Sequence, residues 1–450
     1  MRISTAQIHA SALLGMERNQ SQLLRVQNQL ASGRRLLTPS DDPLASAKAL
    51  GVSQARDVAA QYARNQGDAS DRLGLVDGQL DALTELLQGV RARTVQAGNT
   101  VLTDSDRQAM ASEVEERFAQ LLGIANSRSA QGDYLFSGYQ GSTAPFALAA
   151  ATAAAGNPPV AYSGDDGERL LQVSATQQMP VSVAGSDLFM NIREGNGTFV
   201  SEAGGQPSAL PNQGTAAIDA GSVVDRQRWQ KALNVDFPWQ GSDNHQLEIR
   251  FSVSSGVTSY QIFDASTPAP PAAPLSPRPV SAVLPYASGQ AISLLTVGQP
   301  PAAPTSVDFG AQVVITGSPA SGDSFKIRPS GQRSMFQTLQ DLIGLLRTPL
   351  ASGSDRSAFS SRLQGLLGDL DAALSNVSQV QSAVGARLSE LDALASDSAN
   401  LDVAYQQLLS STQDLDYAQA ISEFTRQQAG LEAAQKSFVA VSGLSLFQYI

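Results

Sequence analysis

The 450-residue chain contains no cysteine. Disulfides, thiolate metal sites and cysteine nucleophiles are thereby excluded. Histidine is nearly absent as well, with only His9 and His245. A zinc-peptidase helix needs two histidines four residues apart, and these two are far from that spacing. A Ser–His–acid triad would have to use one of them, and no Gly-x-Ser-x-Gly elbow accompanies either. Positive charge is in deficit: 30 Lys and Arg stand against 41 Asp and Glu, a formal net charge of −11. That balance argues against nucleic acid or an anionic membrane as partner, because both attract a basic face. No apolar run approaches the roughly 20 residues that cross a bilayer. Near the N-terminus Ser4, Thr5, Gln7, His9 and Ser11 interrupt any apolar leader core. The expectation is a cytosolic protein, or one that leaves the cell without a cleaved signal.

Proline is scarce at both ends. Of 22 prolines, all but Pro39, Pro43 and Pro349 lie between Pro145 and Pro329. Proline costs about 3 kcal/mol inside a helix, so the flanks are free to form long helices and the middle is not. Trp229 and Trp239 also fall in the middle.

What the flanks do have is strict 3–4 apolar spacing. One stripe reads Ala69, Leu73, Val76, Leu80, Leu83, Leu87, Val90, Ala97, broken at Thr94. The other reads Leu363, Leu367, Leu370, Leu374, Val377, Val384, Leu388, Leu391, broken at Gln381. Each stripe covers one side of a long helix and demands a partner stripe. The two are therefore expected to face each other as an intrachain bundle. A first helix is expected over about 5–32, with Met16, Leu23, Leu30 and Leu37 seven apart, Val26 between, and Gly33 as its stop. Asp42 and Pro43 suit the start of a second helix that runs to about Ala97, roughly 80 Å long. A third helix should follow an Asp104/Ser105 cap and bury Met110, Val114, Phe118 and Leu121.

The middle reads as strands and turns. Leu247, Ile249, Phe251 and Val253 alternate with polar residues, the period of a half-buried strand. Val313 to Ile315 and Phe325 to Ile327 flank Gly317 to Asp323, a sequence suited to a hairpin loop. The seven prolines from Pro268 to Pro285 predict an extended surface segment, and Ala149 to Ala155 a linker before the first strands. Chemical motifs are nearly missing. Gly195-Asn196-Gly197 lacks a third glycine at nucleotide-loop spacing and reads as a turn. Gly164-Asp165-Asp166-Gly167-Glu168 lacks calcium-loop spacing and reads as a solvated turn. Asn196-Gly197-Thr198 is a sequon, of consequence only where a glycosylation apparatus acts on it. No catalytic residue, cofactor site or metal site is expected. Trp229, Trp239 and Tyr260 offer a stacking surface or, more ordinarily, core.

The chain ends are apolar where domain ends are normally polar. Phe424, Leu431 and Phe438 are seven apart, and Val441, Leu444, Leu446 and Phe447 follow. With Met16, Leu23, Val26 and Leu30 they form the candidate surface for other subunits. The fold class so reached is α+β: a long helical coiled-coil bundle made from both chain ends, with a mainly β insert between. The expected segments are 1–40 and 411–450 for an inner helical assembly domain, 41–140 and 336–410 for the long bundle, and 141–335 for the insert.

The stretch from Gln29 through Leu30-Ala31-Ser32-Gly33-Arg34-Arg35 to Thr38-Pro39-Ser40-Asp41-Asp42-Pro43 resembles the N-terminal signature of the bacterial flagellin superfamily. Ala418, Ser422, Gln427-Gln428, Ala433-Ala434, Ser437-Phe438 and Leu444-Ser445-Leu446-Phe447 resemble its C-terminal end. Three details point to the junction branch of the superfamily rather than to filament subunits: Met1-Arg2-Ile3-Ser4-Thr5, the prolines around Ser40-Asp41-Asp42, and Gly132-Asp133-Tyr134-Leu135-Phe136-Ser137-Gly138. The resemblance implies a self-assembling structural adaptor of the flagellum, exported through the flagellar type III channel with its chaperone, without a cleaved signal. Its implied partners are hook-associated protein 1 on one side, flagellin on the other, and copies of itself in a ring. Two alternatives stand beside this: a flagellin, or a flagellar scaffold that carries a binding insert.

Overall fold

Helices occupy the proline-poor flanks, and one short α-helix, Arg226–Lys231, lies in the middle. In a computed structural model of the chain they are α1 (Thr5–Ser32), α2 (Pro43–Ala97), α3 (Asp104–Ala125), α4 (Arg226–Lys231), α5 (Met335–Arg347), α6 (Gly353–Gln413) and α7 (Tyr417–Leu446). The strands before α4 are β1 (Phe146–Leu148), β2 (Val160–Tyr162), β3 (Leu170–Gln172), β4 (Gln178–Pro180), β5 (Ile192–Arg193), β6 (Phe199–Ala203), β7 (Ala217–Ile218) and β8 (Ser222–Val223). After it come β9 (Leu247–Ser254), β10 (Val257–Asp264), β11 (Arg278–Pro279), β12 (Leu284–Pro285), β13 (Ala291–Val297), β14 (Ser306–Thr316), β15 (Ser324–Pro329) and β16 (Gln332–Arg333). The structure describes residues 5–99, 101–149, 159–205, 211–232, 246–265, 278–297 and 306–446, with side chains at 5, 6, 8, 9, 278, 296, 297, 306 and 441–446 outside the description. His9, Trp239, His245, most of the proline-rich segment and most of the alanine-rich linker therefore lie outside it. The fold is α+β, with a β-rich region inserted between helical chain ends.

The chain divides into two units. One comprises 1–68, 172–178 and 390–450, the other 69–171 and 179–389, so α2, α6 and the β3–β4 hairpin contribute residues to both. In the larger unit the α2 stripe is buried as its spacing predicts. Leu73, Leu80, Leu83 and Leu87 have no exposed surface and Val76 is at 1%. Thr94 is also buried, and its hydroxyl donates to the Val90 carbonyl at 2.8 Å, which satisfies a polar group inside an apolar seam. Along α6 the buried apolar set in this unit is Phe359, Leu363, Leu366, Leu370, Ala373, Val377 and Val384. Leu367, Leu374 and Leu388 are half-buried beside that line rather than on it. Leu391, which belongs to the other unit, is buried. Asp81 meets Gln381 (2.6 Å) and Arg91 meets Asp371 (2.5 Å), so one helix advances as the other retreats and the pair is antiparallel.

Helix α3 starts one residue earlier than the expected cap. Thr103, not Asp104 or Ser105, is the N-cap, in a reciprocal box with Asp106. A threonine hydroxyl accepts from the N3 amide while the N3 carboxylate accepts from the cap amide, so both free donors are satisfied. Met110, Val114, Phe118 and Leu121 are buried. Helix α3 packs on α5, where Phe118 and Phe336 meet edge-on at 5.9 Å. Phe146, Phe189 and Phe136 extend this aromatic core, and Phe136 belongs to the Gly132–Gly138 motif. Gly138 has φ +68°, and a Cβ there would strike Asp165, whose carboxylate accepts from the Tyr139 and Gly167 amides. The acidic run is thus a turn-forming device. Asp166 accepts from Ser186, and Glu168 faces Arg387.

The central β-rich region is a sandwich with its own core. One sheet runs β11-β10-β9-β15-β6 with β12 beside β10, the other β13-β14-β7 with β8 beside β14, all antiparallel. Both sheets feed one cluster that runs in sequence from Phe199 to Ile327 and includes Trp229. Three expectations are corrected here. Strands β14 and β15 are not a hairpin: they lie in different sheets, and Gly317 to Asp323 is the crossover between them. The Asp323 carboxylate gathers the Gln213, Gly214 and Ala320 amides, so the loop's turn chemistry serves a corner. The alternation of β9 ends early. Val253 is 40% exposed, while Glu248 is buried and paired with Arg250 at 2.8 Å. The first strand, β1, precedes the alanine-rich linker instead of following it.

Candidate functional site

The smaller unit holds both chain ends. Helix α1 packs along α7. Val26 and Ala420 are buried on that seam, at 9% and 7% exposure. Met16, Leu23, Leu30, Phe424, Leu431 and Phe438 are half-buried. The side chains of Val441, Leu444, Leu446 and Phe447 lie outside the described residues.

Two turns hold the helices in register. Gly33 ends α1 with φ +70°, and its Cβ position lies 2.9 Å from the Tyr417 hydroxyl, so the approach requires glycine. The Arg35 amide donates to the Gln413 carbonyl (2.7 Å), the Arg35 guanidinium to the Thr412 carbonyl (2.7 Å), and the Leu415 amide to the Gly33 carbonyl (3.0 Å). The Pro39–Pro43 turn divides its work between two aspartates. Asp41 accepts from the amides of Leu37 (3.0 Å) and Thr38 (2.9 Å) and pairs with Arg25 (3.1 Å). These amides, with Thr38 first, then Leu37 and the Arg25 charge, hold its carboxyl below the usual carboxylate range. Asp42 accepts from the Ala45 amide at 3.0 Å, as an N-cap before Pro43 should.

Farther along, the tip of the β3–β4 hairpin is tied down within the same unit. Gln66 donates to the Val173 carbonyl (2.8 Å), Asn65 to that of Gln172 (2.7 Å), and Gln177 to Glu390 (2.6 Å).

With the seam filled, apolar side chains remain on the outside. Leu13, Leu14 and Leu24 on α1, Leu44, Leu50 and Val58 on α2, Leu401 and Val403 on α6, and Tyr417, Ile421 and Val439 on α7 are each about half exposed or more. Among the described residues this unit carries half of the exposed large apolar side chains on under a third of the chain. Ile421 and Val439 lie five whole turns apart, on one face of α7. Sequence reasoning missed these residues. The signal was present in the doublets Leu13-Leu14 and Leu23-Leu24, since neighbours on a helix point about 100° apart and one stripe cannot cover both.

The other candidates resolve into structure. Trp229 packs at tilted angles between Phe199 (5.2 Å) and Phe309 (5.7 Å) in the sandwich core, and Tyr260 packs against the same core. Asn196 of the sequon donates to the Ala220 and Gly221 carbonyls and accepts from the Thr198 and Phe199 amides. Among the described residues no helix is long and apolar enough to cross a membrane, and no three His, Asp or Glu side chains gather as metal ligands.

Comparisons with known proteins agree with this geometry. Residues 3–141 match the bacterial flagellin N-terminal helical region. Flagellar hook-associated protein 3 of Salmonella typhimurium is 22% identical over 449 residues, covering 100% of this chain and 99% of the relative. The crystal structure of the flagellar junction protein FlgL from Legionella pneumophila superposes with a TM-score of 0.64 at 27% identity, over 82% of this chain and 100% of that one. A flagellin of Salmonella dublin is 27% identical over 117 residues, only 26% of this chain and 23% of the flagellin. Fold and comparisons together define a flagellin-like structural protein of the bacterial flagellum. Within that class, the resemblance over the whole length is to flagellar hook-associated protein 3.

Proposed function

We propose that this chain is a non-enzymatic structural adaptor, assembling as a ring between hook-associated protein 1 and the flagellin filament. The observation that carries the reading is the whole-length match to hook-associated protein 3, against partial matches to filament proteins, over 58% of the chain for a flagellar filament 41 kDa core protein and 26% for a flagellin. The apolar outer faces of α1, α2, α6 and α7 support it, because patches of that kind on a lone subunit mark surfaces that a partner covers. On this reading the protein lies outside the cell, delivered by the flagellar type III export apparatus and its chaperone. The terminal helices form the inner contact layer, with Met16, Leu23, Val26, Leu30, Phe424, Leu431, Phe438 and the 441–447 residues placing that layer's helices. The sandwich faces solvent. Electron microscopy of filaments bearing labelled copies tests this. Label confined to the filament base is the expected result. Label along the filament would make the protein a flagellin.

A further inference from the structure

The sandwich joins the rest of its unit through a two-stranded neck. Strand β5 pairs with β16, Arg193 opposite Gln332 and Ile192 opposite Arg333. Just beyond, the Ser330 amide donates to the Thr198 carbonyl (2.9 Å) and the Ser330 hydroxyl to the Glu194 carbonyl (2.8 Å). The sandwich core begins at Phe199 and ends at Ile327, so it lies wholly on the far side of this neck.

At the neck one carboxylate of α6 holds both strands. Asp369 accepts from the Gly195 amide at 2.7 Å and from the Arg333 guanidinium at 2.8 Å. Its neighbour Gly368 lies against the Gly195 backbone, at ordinary contact distance. Arg333 is shared with Asp341 of α5, which Gln337 in turn holds at 2.8 Å. Asp369 is 7% exposed.

Beside this contact lies a cleft of about 590 Å³ between the β6–β15 face and helices α5 and α6. Gly344 and Gly365 line it, and the space a Cβ would enter at either is open. Arg362, exposed on α6, lines it too, and two further arginines there are paired internally. Arg328 meets Glu194 (2.6 Å) and Glu202 (3.8 Å), and Arg333 meets Asp341 and Asp369. Nothing there singles out a ligand, but the cleft leaves room for its walls to approach.

We propose that the sandwich is hinged at the β5–β16 neck and that the Asp369–Arg333–Gly195 contact is its lock. With the contact made, the sandwich keeps one orientation on the helices. With it broken, the sandwich rocks about the neck into the cleft. Two strands can absorb such a rotation with few φ/ψ changes, and a buried contact that ties both chain crossings to α6 opposes it.

The absence of cysteine in the parent chain makes the test direct. Cysteines placed at Val257, exposed on the sandwich, and at Ser375, exposed on α6, carry spin labels in the full chain, and their distance distribution is measured by pulsed electron resonance. The parent should give one narrow distance. Asp369→Asn should broaden it about two-fold or more. Asp371→Asn, on the same helix but paired with Arg91 away from the neck, should leave it narrow. If circular dichroism shows Asp369→Asn unfolded, Arg333→Lys takes its place, because an ammonium lacks the fork that spans Asp369 and Asp341. A folded lock variant as narrow as the parent, or a parent as broad as the variant, overturns the proposal.

Discussion

Leu83 and Gln88 show what a single position on α2 is worth. Leu83 has no exposed surface, whereas Gln88 faces solvent. Leu83→Asp places an unpaired carboxylate in the α2–α6 seam, a cost of about 3 kcal/mol or more. Gln88→Asp should stay within about 0.5 kcal/mol. Thermal melting of the two variants checks the pair, and equal midpoints would remove Leu83 from the core. Asp41 carries a different kind of prediction. Its carboxyl is held below its usual range by the Thr38 and Leu37 amides and the Arg25 charge. A depressed folded value contributes stability that is complete above the unfolded value and lost as pH falls through the folded one. The turn at 37–43 should therefore hold at neutral pH and loosen only below the ordinary carboxylate range. In Asp41→Asn the amides of Leu37 and Thr38 should exchange faster at neutral pH. Unchanged exchange would mean that the carboxylate does not close the turn.

At the scale of elements, the sandwich is the separable one. Its core lies between Phe199 and Ile327, and the strands that lead into and out of it are already hydrogen-bonded at Thr198 and Ser330. Replacing residues 199–329 by a short turn should leave a folded, strongly helical protein by circular dichroism. Collapse of helicity would show that α5 and α6 depend on the sandwich. The helices were largely legible beforehand, because a 3–4 apolar period and proline exclusion act locally along one segment. Gly33, Pro43 and Ala97 all mark helix ends at the expected places. Strand partners were not legible. Gly317 to Asp323 has hairpin chemistry, and only the packing of two sheets makes it a crossover. The half-buried Leu367, Leu374 and Leu388 make the same point on α6. A leucine four residues on and one three residues on read alike in sequence, and the partner helix decides which is covered. The α1–α7 layer was legible only in part. Heptad spacing located the residues of the α1–α7 layer, while the outward faces emerged only once that seam was filled.

For the whole molecule, the decisive question is whether stability and assembly reside on different faces of the same helices. Val26 sits buried between α1 and α7, so Val26→Asp should destabilise the free subunit and expose its ends to protease. Leu14 and Ile421 are 56% and 55% exposed, so Leu14→Ser with Ile421→Ser removes little that the free subunit buries. Its melting should change by less than about 1 kcal/mol equivalent. Burial between subunits contributes roughly 25 cal/mol per Å² of apolar surface, and a ring repeats each contact around its circumference. The same double variant should therefore fail to incorporate, leaving cells with hooks but without filaments and with flagellin in the medium. Soluble, normally melting protein that still supports filaments would show that Leu14 and Ile421 lie outside the interface. Unfolding of the free double variant would show that these outward faces belong to the subunit's own core, and the assembly surface would then fall to the seam residues themselves.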